Sequence, residues 1–138
     1  MIIARTAAAL LALSLAGAAH AAQPITGRWL IEDGSAVVQV GPCGGATCGR
    51  IVTVLKARAG APTTDANNPD AALRNRPIVG IPILSGFSDA GKDWRGQIYD
   101  PRTGKSYKSI VTHEKDGTLK VKGCISFLCQ AQVWKPAR

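Results

Sequence analysis

Residues 94–107 read WRGQIYDPRTGKSY, and this stretch decides the fold. Pro101 presets φ for a turn, Asp100 can bond the backbone two residues on, and Gly104 can take the positive φ that closes the loop without steric cost. Ile98 and Tyr99 before the turn, and Tyr107, Ile110 and Val111 after it, favour extended backbone. The stretch therefore predicts a β-hairpin whose second arm, SYKSIVTHE, runs over 106–114.

Similar punctuation recurs on both sides. Upstream, RWLIE (28–32), the Asp33-Gly34 turn, AVVQV (36–40) and RIVTVLK (50–56) predict a three-strand meander. Downstream, Lys115-Asp116-Gly117 turns the chain into TLKVKG (118–123), with Leu119 and Val121 inward and Lys120 and Lys122 outward, and QAQVWK (130–135) closes it. Between the two halves, Asn68 as a cap, Pro69 at the first helical position and Ala71–Arg74 predict a short helix of about two turns. RPIVGIPIL (76–84) is apolar but broken by Gly80 and Pro82, so a strand there is bent or at an edge. The sum is an all-β chain: eight antiparallel strands in an up-and-down barrel, with the helix inserted after the third strand. Tight sequential turns favour the barrel over a Greek-key sandwich. Such a barrel encloses room for side chains or one small ligand.

The first 21 residues stand apart. MIIAR carries one positive charge, AAALLALSLAGAA is a 13-residue apolar run, and Ala19-His20-Ala21 offers small residues at a cleavage point. We read a signal peptide over 1–21, cut before Ala22, because a membrane anchor would want about 20 apolar residues. The remaining domain, 22–138, contains no further apolar segment of transmembrane length and is expected to be periplasmic or secreted. It keeps 16 of the 17 lysines and arginines against nine acids, a net of +7. Such a charge suits solubility or attraction to anionic ligands and surfaces. Without a basic stripe interleaved with aromatics, it gives no case for nucleic acid.

Cys43 and Cys48, and Cys124 and Cys129, form two pairs of equal spacing. In an oxidising compartment disulfides are expected, and zinc is disfavoured by the four intervening residues. Pairing within each couple would bridge the neck of a hairpin; pairing across, such as Cys48 with Cys124, stays open.

Gly27-Arg28-Trp29-Leu30, Cys48-Gly49-Arg50-Ile51, Asp65 with Asn68-Pro69-Asp70, and Leu73-Arg74-Asn75-Arg76-Pro77 with Gly80 occur in order. Tyr99-Asp100-Pro101 follows with Gly104-Lys105 and Tyr107, then Leu119 with Gly123-Cys124 and Trp134. Together these motifs resemble the domain-of-unknown-function 2147 family over nearly all of the mature chain. The resemblance implies a small exported bacterial protein with a lipocalin-like, calycin-type barrel, and brings no activity or site residues with it.

The residues themselves carry little catalytic chemistry. His113 is the one histidine after the leader, so a triad would have to use it, and no nucleophile elbow surrounds Ser88 and Asp89. No phosphate-cradling or dinucleotide glycine loop occurs, and no cofactor or metal is implied. Asp65, Asn67, Asn68 and Asp70, with Asp93 and Asp100 as possible neighbours, are a calcium-like donor set, but Pro69 breaks the EF-hand spacing; a capped helix with an Asx-turn accounts for them. Arg74 and Arg76 with Tyr99 and Tyr107 could orient a carboxylate or phosphate at a barrel mouth, and Trp94 could face the same ligand. Equally, Arg76 could pair with Asp100. Trp29 and Trp134 become neighbours if the barrel closes and would plug its floor. The apolar tip Ile125-Ser126-Phe127-Leu128 either caps the barrel or projects as an interaction patch. The sequence reading is thus non-catalytic binding of a small amphipathic or anionic cell-envelope molecule, the alternative being a structural or interaction protein of the envelope acting through its basic surface or the 125–128 tip.

Overall fold

The computed structural model describes residues 20–57 and 59–138, together with 12, 14 and 17; the rest of the expected leader lies outside the described residues. Among those described, the strands are β1 (Gly27–Leu30), β2 (Ala36–Cys43), β3 (Ala46–Val54), β4 (Pro82–Asp89), β5 (Trp94–Asp100), β6 (Lys105–His113), β7 (Leu119–Ile125) and β8 (Leu128–Pro136). They pair in sequential order as a closed antiparallel barrel. The expected hairpin is β5–β6, paired from Trp94 with Val111 to Asp100 with Lys105, and Gly104 turns it at φ 70°. Closure is the weakest join, made by two residue pairs, Trp29 with Pro136 and Leu30 with Lys135. Beyond them Glu32 takes the place of a strand, its Oε1 accepting the Val133 amide at 3.1 Å.

Two elements differ from the sequence reading. Instead of a two-turn helix there is one 3₁₀ turn, Ala71–Leu73, capped by the Asp70 side chain. Asn68 does not cap it: its Nδ2 donates to Asp65 and its Oδ1 receives the Asp70 amide. Arg74 folds back onto the Asn68 and Pro69 carbonyls, and Asn75 and Pro77 leave no length for a second turn. The fourth strand begins only at Pro82, where no donor is needed, and runs past the expected 76–84 stretch to Asp89. A register shift between Ser85 and Ser88, with Gly86 at φ 63°, lets both Leu84 and Phe87 face inward.

The interior is packed with side chains. Val38, Val40, Leu84, Phe87, Val111, Leu119, Val121 and Trp134 are each at most 2% exposed. Packing reaches the backbone of the wall: a methyl group on Gly96 would lie 2.6 Å from the Phe87 ring and the Ser85 carbonyl, and one on Gly49 3.0 Å from Val38. Trp29 and Trp134 are both buried on the floor as expected, where residues 23–25 strap across. Trp94 Nε1 donates to the Gln23 carbonyl and Trp29 Nε1 to the Ile25 carbonyl, each at 2.9 Å. His113 is half-buried here, edge-on to the Trp29 ring at 5.4 Å, with Nδ1 2.6 Å from the Pro24 carbonyl.

The cysteines pair locally, Cys43 with Cys48 and Cys124 with Cys129. Register explains this. Cys124 and Cys129 are directly opposite on β7 and β8, with Cα atoms 4.0 Å apart, so each is the other's cross-strand neighbour. Among the described residues no helix is long and apolar enough to cross a membrane.

Candidate functional site

The sequence-predicted ligand residues do not converge on one open site. Arg76 and Tyr99 meet, but on Asp65, which is fully buried. Its Oδ2 receives Arg76 Nε and Asn68 Nδ2, both at 2.8 Å, and its Oδ1 receives the Tyr99 hydroxyl at 2.6 Å. Arg76 therefore pairs with Asp65 rather than with Asp100, which binds Arg102 at 3.0 Å instead. Arg74 lies beside this hub with its guanidinium on carbonyls. Tyr107 points to the inner face, across from Ile98 and near Gly123, and Trp94 is engaged at the opposite end of the barrel.

Electrostatics follow from these contacts. Burial pushes the Asp65 carboxyl up, but hydrogen bonds from Tyr99, Asn68 and Arg76, with the Arg76 charge, outweigh it and hold the group below its ordinary 3.8. The Tyr99 hydroxyl is pushed up from 10.0 to about 12, by burial first and then by its bond to the Asp65 carboxylate and that charge. A carboxylate with both oxygens occupied and a tyrosine held neutral make a structural clamp. It fastens the 55–81 connection to β5, helped by Asn67 Nδ2 donating to the Pro101 and Arg102 carbonyls. Among the described residues no group of three or more His, Cys, Asp and Glu side chains could hold a metal.

A broad concavity instead lies on the outer face of β5–β7. The register sets Gln97, Lys108 and Cys124 in one row and Arg95, Ile110 and Lys122 in the next, all on the side opposite the buried Ser109, Val111 and Val121. The β4 bulge at Ser85–Gly86 forms one rim; the β7–β8 tip, with Ser126, Phe127 and the Cys124–Cys129 bridge, forms the other. The groove encloses about 690 Å³. Lys108 has no ion-pair partner among the described residues, whereas Arg95 is held by Asp93 at 2.9 Å. The tip resolves the alternative left open by the sequence: Ile125, Phe127 and Leu128 are 67%, 86% and 69% exposed. Ile125 and Leu128 pair directly, and the two-residue turn between them puts Ser126 at φ 56°, a conformation that non-glycine residues adopt at a cost of about 1–2 kcal/mol. Sequence reasoning singled out the tip but missed Arg95 and Lys108, because only cross-strand register places them beside it.

Inside the barrel, Ser109 Oγ is buried without a hydrogen-bond partner among the described residues, its residue flanked across the sheet by Gly96 and Gly123.

Comparison with known proteins adds family and fold. The family model described as "Uncharacterized protein conserved in bacteria (DUF2147)" matches residues 27–136. A solved structure, described as protein HP1028 from the human pathogen Helicobacter pylori belonging to the lipocalin family, superimposes with a TM-score of 0.71 at 21% identity, covering 83% of this chain and 84% of that one. No curated protein matches the chain.

Proposed function

From the premise that the chain belongs to the DUF2147 family of uncharacterised proteins conserved in bacteria, we propose that it is a non-catalytic binding protein of the cell envelope. It takes a small amphipathic anionic molecule in the outer groove of β5–β7. The observation that carries this reading is the placing of Lys108, without an ion-pair partner among the described residues, and the exposed Phe127 across one concavity of about 690 Å³, while the interior is filled. An alkyl or aryl portion would lie against Ile110, Phe127 and the disulfide. A carboxylate or phosphate head would meet Lys108, with Arg95 beside it. Two disulfides favour an oxidising location, periplasmic or secreted.

The test is a titration of the ¹⁵N-labelled protein with dodecanoate, using dodecan-1-ol as the uncharged control. Amide shifts should cluster at 95–97, 108–110 and 124–129, and dodecanol should bind more weakly. Lys108→Glu and Phe127→Ser should each raise the Kd about tenfold, equivalent to about 1.4 kcal/mol, with Tm within about 2 °C of wild type, since both side chains are exposed. Shifts confined to inward residues such as Tyr107, Ser109 and Gly123 would move the ligand into the barrel and sink the groove assignment.

A second reading is favoured by the 86% exposure of Phe127: the tip docks on a larger envelope component, with the groove as part of that surface. Photo-crosslinking from position 127 in cells would yield a discrete adduct in that case, and dodecanoate would not compete with it.

A further inference from the structure

Among the described residues, Ala22 is the first to be buried in the barrel. It is 8% exposed, whereas His20 and Ala21 are exposed. The next three carbonyls, of Gln23, Pro24 and Ile25, each meet a floor side chain, Trp94, His113 and Trp29. The Ala22 nitrogen itself faces the Asp89 carboxylate at the end of β4, 3.0 Å from Oδ1 and 3.1 Å from Oδ2. Oδ1 also receives the Gly91 amide at 2.7 Å, which fixes the carboxylate against the β4–β5 turn. In the uncut chain the single amide hydrogen is shared between the two oxygens as a three-centre bond. An ammonium carries three, and one positive charge besides.

The geometry points to Asp89 as a receptor for the α-ammonium of Ala22, so that hydrolysis of the Ala21–Ala22 peptide bond completes the barrel floor. In that step water is the co-reactant and the leader-removing peptidase the catalyst. The C–N bond breaks, the water oxygen stays on the Ala21 carbonyl carbon as a carboxylate, and the nitrogen gains protons to become the ammonium. One hydrogen then serves each Asp89 oxygen, and a neutral contact becomes an ion pair. Cleavage is thereby linked to stability: trimming adds an ion pair to the floor of a barrel that is already closed. Small residues at Ala19 and Ala21 place the cut by sequence; the Asp89 carboxylate places it independently by structure.

The experiment expresses the full chain in an exporting host and compares the processed protein with one carrying a single glycine inserted between Ala21 and Ala22. The insertion returns an amide to the Ala22 position after processing ahead of the glycine, and intact mass reports each N-terminus. The expected result is a wild-type mass beginning at Ala22 and a Tm lower by roughly 4 °C for the lengthened protein. That difference should vanish when both carry Asp89→Asn. A wild-type N-terminus elsewhere, an unchanged Tm on lengthening, or a difference that survives Asp89→Asn would each overturn the assignment. If Asp89→Asn does not fold, the lengthened protein alone decides.

Discussion

Asp65→Ala should cost about 3 kcal/mol, lowering Tm by roughly 12 °C, because removing one partner of a buried ion pair leaves the other uncompensated. The low end of the range applies: the Arg76 side chain is 29% exposed and can recover some hydration. Tyr99 and Asn68 lose their acceptor at the same time, and the 55–81 connection loses its anchor on β5. Tyr99→Phe removes a single hydrogen bond to a charged group and should cost about 1.5 kcal/mol, giving a rank order that urea melts can read. An Asp65→Ala loss under about 1 kcal/mol would mean that the hub is decoration.

The pH dependence has a definite sign. Asp65 is held below its ordinary 3.8 in the folded protein, so its contribution is fully present above that value and is lost as pH falls below it. Tyr99 is raised to about 12 from 10.0, so its contribution is present below pH 10 and is lost as pH rises from there towards 12. Wild type should therefore lose stability at both extremes, while Asp65→Ala should show a flatter acid limb.

The second large effect belongs to the turn on which the fold reading rests. Gly104→Ala should cost about 3 kcal/mol, from two sources. A φ of 70° is strained for any residue with a Cβ, at about 1–2 kcal/mol. The added methyl would also collide with the Asn67 carbonyl, and overpacking against backbone adds about 1–3 kcal/mol. The collision is with the connection, not with the hairpin, so β5–β6 should persist while the 64–77 segment loosens. Hydrogen exchange would show faster amides at Asp65 and Asn68 with protection retained at Ile98 and Ile110. A Tm unchanged within 2 °C would refute the contact.

The barrel was legible because its punctuation is local. Turn residues at Asp33-Gly34, Asp100–Gly104 and Asp116-Gly117, and alternation at Leu119–Lys122, each act within a few residues. Local pairing of the cysteines follows from the same short hairpins. The bulge in β4 was not legible, since Ser85–Asp89 has loop composition and becomes strand only because Phe87 fills the space left open by Gly96. The hub was half legible: Arg76 and Tyr99 were recognised, but Asp65 meets Tyr99 across 34 residues, and no local pattern distinguishes it from Asp100 as the partner of Arg76. The groove needed register. Arg95 and Lys108 look like two scattered surface charges until β5 and β6 set them on the same outer face beside Phe127.

The two-pair seam between β1 and β8 gives the molecule a zipper with a loose end. Because the rest of the wall is joined more extensively, thermal breathing should begin there, with β8 peeling from Leu30 and Trp29 long before the β5–β6 hairpin opens. Each such event would bare the edges of both strands to any extended segment nearby. The Glu32 carboxylate on the Val133 amide acts as a latch on that door. Removing it, as in Glu32→Ala, should speed exchange at Val133 and Lys135 while leaving the amide of Val111 as slow as before.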